Sequence, residues 1–176
     1  MIEQVERKFE LTLGAITVSA KIDRIERNEV TGAVRVIDYK TSDQGVLPQA
    51  AHVRNARKDE TAPDWARFTI EGKELVWTDL QLPLYMEALA GELGAAIGAG
   101  YFNLPKAIGE TVIRPWEDYD AQWRAAARRC AEGVAAALAA GIFWPPAEVP
   151  SWDEDDALEG FFHHGTAASI NWEKRP

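Results

Sequence analysis

Residues 21–42, KIDRIERNEVTGAVRVIDYKTS, constrain this chain more than any other stretch. They read as two β-strands joined by a short turn, with Asp23 on the first strand and Asp38 and Lys40 on the second. Side chains alternate across a strand, so Asp38 and Lys40 point to one face. A turn at residues 29–32 pairs Asn28 with Ala33, and the same register sets Asp23 opposite Asp38. Carboxylates placed that way repel each other. A divalent cation between them removes the conflict, and hard oxygen ligands suit magnesium or manganese. The competing reading is a surface hairpin in which Asp23, Arg24, Glu26, Asp38 and Lys40 are solvated charges. Against it, Val34, Val36 and Ile37 make the second strand too apolar for a solvated edge. Acids inside a buried strand are costly unless paired or metal-bound.

The rest of the chain supplies further elements. FELTL, residues 9–13, alternates as a strand, Gly14-Ala15 reads as a turn, and strands follow over 16–27 and 32–40. Residues 44–73, with Pro48, Pro63 and Gly72, are irregular and long for a loop, which points to a functional flap or a partly helical insertion. His52, alone in this polar stretch, reads as an ordinary loop residue. Asp79 caps a helix with Pro83 in its first turn, running to about Ala96 on a stripe of Leu82, Met86, Leu89 and Leu93. Gln81 and Tyr85, four apart, share a face of it. Gly98 and Gly100 read as its breakers, and 99–104 and 111–114 as strands. Asp118 or Asp120 caps a second helix, to about Ala140, with a stripe of Trp123, Ala127, Cys130, Val134 and Leu138. Cys130 on that stripe is a small apolar group, not a nucleophile. Strands, helix, strands, helix predict an α/β fold: a central mixed β-sheet flanked by helices.

I-D-R-I in the first strand, V-I-D-Y-K-T in the second and Q-L-P-L-Y about forty residues later stand in a fixed order. That set resembles the RecB-type nuclease branch of the PD-(D/E)XK superfamily, whose relatives include AddB-type helicase–nuclease subunits. The resemblance spans residues 6–141 and, more loosely, the tail. It implies a restriction-endonuclease-like core, in agreement with the element order. It also implies a nuclease dependent on Mg²⁺ or Mn²⁺, an exonuclease on DNA within helicase–nuclease complexes of recombination and repair. Asp23 and Asp38 would be the metal ligands, helped by the backbone carbonyl of Tyr39. Lys40 would orient the attacking water or stabilise developing charge. Gln81 and Tyr85 would help hold the nucleic-acid strand.

The chain departs from the family pattern at three places. Ala20 stands where a glycine usually precedes the strand aspartate by three residues. A preceding helix supplies the family with a further His or Glu for the metal. Little of that helix is included here, so Glu6 or Glu10 is the nearby candidate, and the expectation is a C-terminal fragment or a ligand from elsewhere. Many helicase-associated relatives carry cysteines for an iron–sulfur cluster in the tail. Residues 142–176 have none, so no such cluster is expected; Phe143, Trp144, Trp152, Phe161, Phe162 and Trp172 would pack on a single domain spanning 1–176. His163-His164 lacks further ligands at zinc spacing.

Composition bounds the rest. A chain of 176 residues, 47% hydrophobic and 27% charged, suits one soluble domain with a real core. No apolar run approaches the ~20 residues of a membrane span. The charged start, MIEQVERKFE, has no apolar signal core, which points to the cytoplasm. Cys130 is the only cysteine, so there is no internal disulfide. Neither a P-loop nor G-x-G-x-x-G occurs. The net charge of -9 is unusual for a phosphate binder. The domain is therefore expected not to hold DNA strongly alone, in keeping with a helicase-type partner domain or subunit. Arg54, Arg57 and Lys58, and Arg124, Arg128 and Arg129, are either backbone contacts or solvated faces. The acidic charge and missing ligand also support a second reading, a non-cleaving scaffold or strand clamp of the same fold.

Overall fold

Alternating residues and a glycine turn build the first layer. β1 (Ile2–Leu13) and β2 (Ile16–Arg27) form one long antiparallel hairpin, turning at Gly14 with φ of 59°. The computed structural model describes residues 1–58, 62–93 and 97–142, and the elements below lie in that set. The first strand reaches back well beyond the FELTL segment, because the charged residues before it alternate against β2. β3 (Val34–Lys40) continues antiparallel from Arg27↔Val34 to Arg24↔Ile37, and the Asn28 N–H donates to the Ala33 carbonyl at 2.8 Å, the expected turn pairing.

β7 (Ile97–Asn103) runs parallel to β3 on its other side, and β8 (Val112–Pro115) pairs antiparallel with β7. The sheet is therefore mixed, ordered β1-β2-β3-β7-β8, with β3 at its centre. Gly98 and Gly100, expected to break a helix, lie within β7. A Cβ on Gly100 would come 2.8 Å from the Arg114 carbonyl, so the residue is small to let β8 approach. The crossover from β3 to β7 carries α2 (Gln81–Leu93), which lies against β7, β3 and β1. Asp79 accepts the Gln81 N–H at 2.6 Å as its cap. Leu82, Met86 and Leu89 are buried as the stripe requires, while Leu93 is exposed.

The stretch expected to be irregular is a second, small sheet. α1 (Pro48–His52) leads into β4 (Val53–Asn55). β5 (Arg67–Ile70) and β6 (Lys73–Trp77) complete a three-stranded antiparallel sheet ordered β4-β6-β5. Glu71 and Gly72, both at positive φ (50° and 76°), make the two-residue turn that such a hairpin needs. The sheet is stapled by rings. Phe68 stacks on Trp77 at 5.0 Å, and Trp123 meets both edge-on, at 5.4 and 5.9 Å.

Trp123 belongs to α3 (Ala121–Ala139), capped by Asp120 rather than Asp118: the Asp120 carboxylate accepts the N–H groups of Gln122 and Trp123. Its buried face runs Trp123, Ala127, Cys130, Ala131, Ala135, so Val134 and Leu138 fall on the exposed side instead of continuing the stripe. Packing is close where the helix meets Trp65. A Cβ at Gly133 would lie 2.3 Å from the Trp65 ring, so small residues meet the neighbours. The expected end of α2 near Ala96 and the aromatic tail from Phe143 onward fall outside the described residues.

Candidate active site

Asp38 sits on the central strand and is 4% exposed. With β2 and β7 bonded on either side, β3 cannot rotate, so Asp38 and Lys40 are held on one face. Continuing the β2–β3 register one step past Arg24↔Ile37 brings Asp23 opposite Asp38. Asp23 Oδ2 accepts the Tyr39 N–H at 3.1 Å, tying the first acid to the backbone that carries the second. The alternation of β2 changes phase just here: Ile22 and Ile25 are both fully buried, three residues apart. The change lies opposite Glu6, which the β1–β2 pairing skips between Val5↔Arg24 and Arg7↔Ile22 and which has φ of 54°. That left-handed backbone is costly for an L-residue, and in the unbroken register on either side Glu6 faces Asp23.

Lys40 is fixed by three neighbours. Its Nζ lies 2.8 Å from Asp38 Oδ2, donates to Gln81 Oε1 at 3.2 Å, and stands 4.6 Å above the Tyr101 ring. Gln81 bridges the pair, since its Nε2 donates to Asp38 Oδ1 at 3.0 Å and to the Tyr85 hydroxyl at 3.1 Å. The charges on either side dictate that amide's orientation: oxygen to the ammonium, nitrogen to the carboxylate. Tyr85 is buried, its ring edge-on to Phe9 at 5.5 Å and its hydroxyl donating to the Lys21 carbonyl at 2.9 Å. The polar atoms of Gln81 and Tyr85 are thus bonded inside the site. Burial pushes the Asp38 carboxyl above its ordinary value; Lys40 pulls it back, and Asp23 adds to the rise.

A family model for the PD-(D/E)XK nuclease superfamily matches residues 1–151. The chain belongs to that superfamily. The mixed sheet flanked by helices is its restriction-endonuclease-like core, and its central strand carries Asp38, Tyr39 and Lys40 in the order D-X-K. Searches of curated proteins and of solved structures returned no match.

PD-(D/E)XK nucleases typically use Mg²⁺ or Mn²⁺, and the donors here fit such an ion. Asp38 Oδ2 is buried without a hydrogen bond; Lys40 faces it as an ion pair but not along a hydrogen-bonding direction. With Asp23 across the strand gap, the available donors are hard oxygens. Glu6 and Glu10 are not drawn in. Glu6 is ion-paired to Lys21 and largely exposed, and Glu10 lies opposite Ser19, further along the hairpin. Among the described residues no third His, Cys, Asp or Glu joins the two acids.

The cluster of Arg124, Arg128 and Arg129 is engaged elsewhere. Arg124 and Arg128 pair with Glu87, Arg128 also pairs with Glu132, and Arg129 donates to the Arg67 carbonyl. One residue beside the site escapes sequence reasoning. His52 is fully buried and bonds to the first turn of α2. The spacing of four between Pro48 and His52 is the only trace of this in the sequence, and it has meaning only once α1 is known.

Proposed function

We propose that this chain is a Mg²⁺- or Mn²⁺-dependent DNA nuclease, acting as an exonuclease alongside a helicase-type partner. The observation that carries this reading is the buried Asp38–Lys40 pair, locked by Gln81 with Asp23 across from it. Asp23, Asp38 and the Tyr39 carbonyl would hold the metal, which when bound supplies charge neutralisation at the phosphate and a water of lowered pKa. An ammonium has three donors. Gln81 engages one of those on Lys40 and Asp38 faces the ammonium as an ion pair, which leaves a donor for a water or a phosphate oxygen. The face of Tyr101 supports the ammonium from behind. Gln81 and Tyr85 act on the strand indirectly, by fixing the amine and the acid that meet it. The net charge of -9 supports a partner that brings the DNA.

The test is incubation with linear and circular DNA, single- and double-stranded, in Mg²⁺, Mn²⁺ or EDTA. Linear DNA should be degraded only with metal, and circular DNA spared. Lys40→Ala should lower the rate about 10²- to 10³-fold while keeping the fold; undiminished cleavage by that variant refutes the assignment. Among the described residues two acids alone meet at the site, which favours one rival, a clamp that does not cut. A protein that binds neither Mn²⁺ nor Mg²⁺ and still retains DNA would be that clamp.

A further inference from the structure

His52 ends α1 in the middle of the stretch whose sequence looks like a loop, and its side chain is 0% exposed. Both ring nitrogens are committed. Nδ1 lies 2.8 Å from the Pro48 carbonyl, which can only accept, so Nδ1 carries the proton. Nε2 is then a bare acceptor, and it receives the Leu82 N–H at 3.2 Å. That N–H belongs to the first turn of α2, where backbone donors have no intrahelical partner. The carbonyl of His52 also accepts the N–H groups of Thr78 (2.8 Å) and Asp79 (3.2 Å), on the other side of the β6–α2 junction. A single residue therefore pins the point where α2 begins, and the residue before Leu82 is Gln81. A second route reaches the same place. The imidazole stacks on Tyr101 at 5.8 Å, the ring over which the Lys40 ammonium stands.

We propose that His52, as a neutral imidazole, is a positioning residue for phosphodiester cleavage: it caps α2 and so holds Gln81 against Asp38 and Lys40. A proton on Nε2 would set donor against donor at Leu82. Burial, chiefly, and the nearby Lys40 keep that proton off, against the pull of the Pro48 carbonyl, Asp79 and Asp38. The hydroxyl of Tyr101, at 3.3 Å from Nδ1, is the remaining polar neighbour, and Trp116 closes the pocket at 5.0 Å. Leucine would fill the same volume and leave the Leu82 N–H unpaired. Glutamine can return an acceptor to the Nε2 position.

The kinetic arm rests on the nuclease reading; the spectroscopic arm does not. His52→Leu and His52→Gln are compared with the parent chain by NMR of the Leu82 amide and the Gln81 side-chain amide, and by metal-dependent cleavage of linear DNA. In His52→Leu the Gln81 resonances should move, Leu82 exchange should quicken about tenfold or more, and kcat should fall about 10- to 100-fold with KM nearly unchanged. His52→Gln should restore all of these. A folded His52→Leu protein with Gln81 unmoved overturns the proposal, whatever its stability. Should His52→Leu fail to fold, the imidazole nitrogen shifts of the parent decide: an unprotonated Nε2 at about pH 7 supports the proposal, and a protonated one ends it. Absence of cleavage by the parent would remove the nuclease reading and leave the Gln81 and Leu82 signals to judge the cap.

Discussion

The two sheets of this molecule are built on opposite terms. The five-stranded sheet gathers groups that work against folding: a buried Asp38, a second acid across from it, and Glu6 in a left-handed backbone. The three-stranded sheet holds no comparable charge at its centre. It is closed by Phe68 and Trp77, with Trp123 from α3 and then Trp116 continuing the cluster. Both sheets contribute to one apolar core, but the buried acid lies in the large sheet and the stacked rings in the small one. The small sheet also feeds the site, because β4 and β6 flank His52 and lead directly into α2. Buried aromatic area contributes far more to folding than an ion pair does, so a site of this kind needs such a neighbour.

The sharpest way to break this contrast is Trp77→Ala. If the small sheet is the staple, urea unfolding should show a loss of about 3–5 kcal/mol. A loss below about 1 kcal/mol would make the small sheet a loose flap and end the comparison. Metal addition probes the other sheet. Mn²⁺ at about a hundred times its Kd should stabilise the protein by about 2.7 kcal/mol, read as a rise in Tm, because it relieves the opposed acids. Asp23→Asn should abolish that rise. A metal-dependent rise that survives this substitution would place the ion elsewhere.

The smallest expected effect lies at the junction between the sheets. His52 has its pKa lowered from 6.5, by burial first. The unfolded chain therefore takes up this proton while the native chain resists it. Its contribution is complete above about pH 6.5 and is lost progressively as pH falls below that value. Unfolding free energy measured between about pH 7 and 5 should decline, and His52→Gln should remove that part of the slope. Asp38, whose carboxyl pKa is raised by burial, acts in the opposite direction, so an unchanged slope in His52→Gln would rule out the imidazole as the source of the decline.

Much of the large sheet is legible in the sequence, since its rules are local. Alternation sets Asp38 and Lys40 on one face, and the turn at residues 29–32 delivers the Asn28–Ala33 pairing that aligns Asp23. The caps at Asp79 and Asp120 are legible for the same reason. The small sheet is not. Its strands are three to five residues long, too short for a pattern, and rings distant in sequence hold them. In α3, a period of 3.6 residues leaves Val134 and Ala135 as rival core positions, and the packed helix buries the alanine.

Residues on one strand or one helix turn are related by fixed backbone geometry, so the D-X-K face, the hairpin register and the order of the large sheet's first three strands follow from the sequence alone. Three features of the site lie beyond that reach: the orientation of the Gln81 amide, the burial of the Tyr85 hydroxyl and the tautomer of His52. Each depends on which acceptor or donor arrives from a distant part of the chain. Tertiary structure decided these, because a polar group removed from water takes its orientation from the partner it meets there.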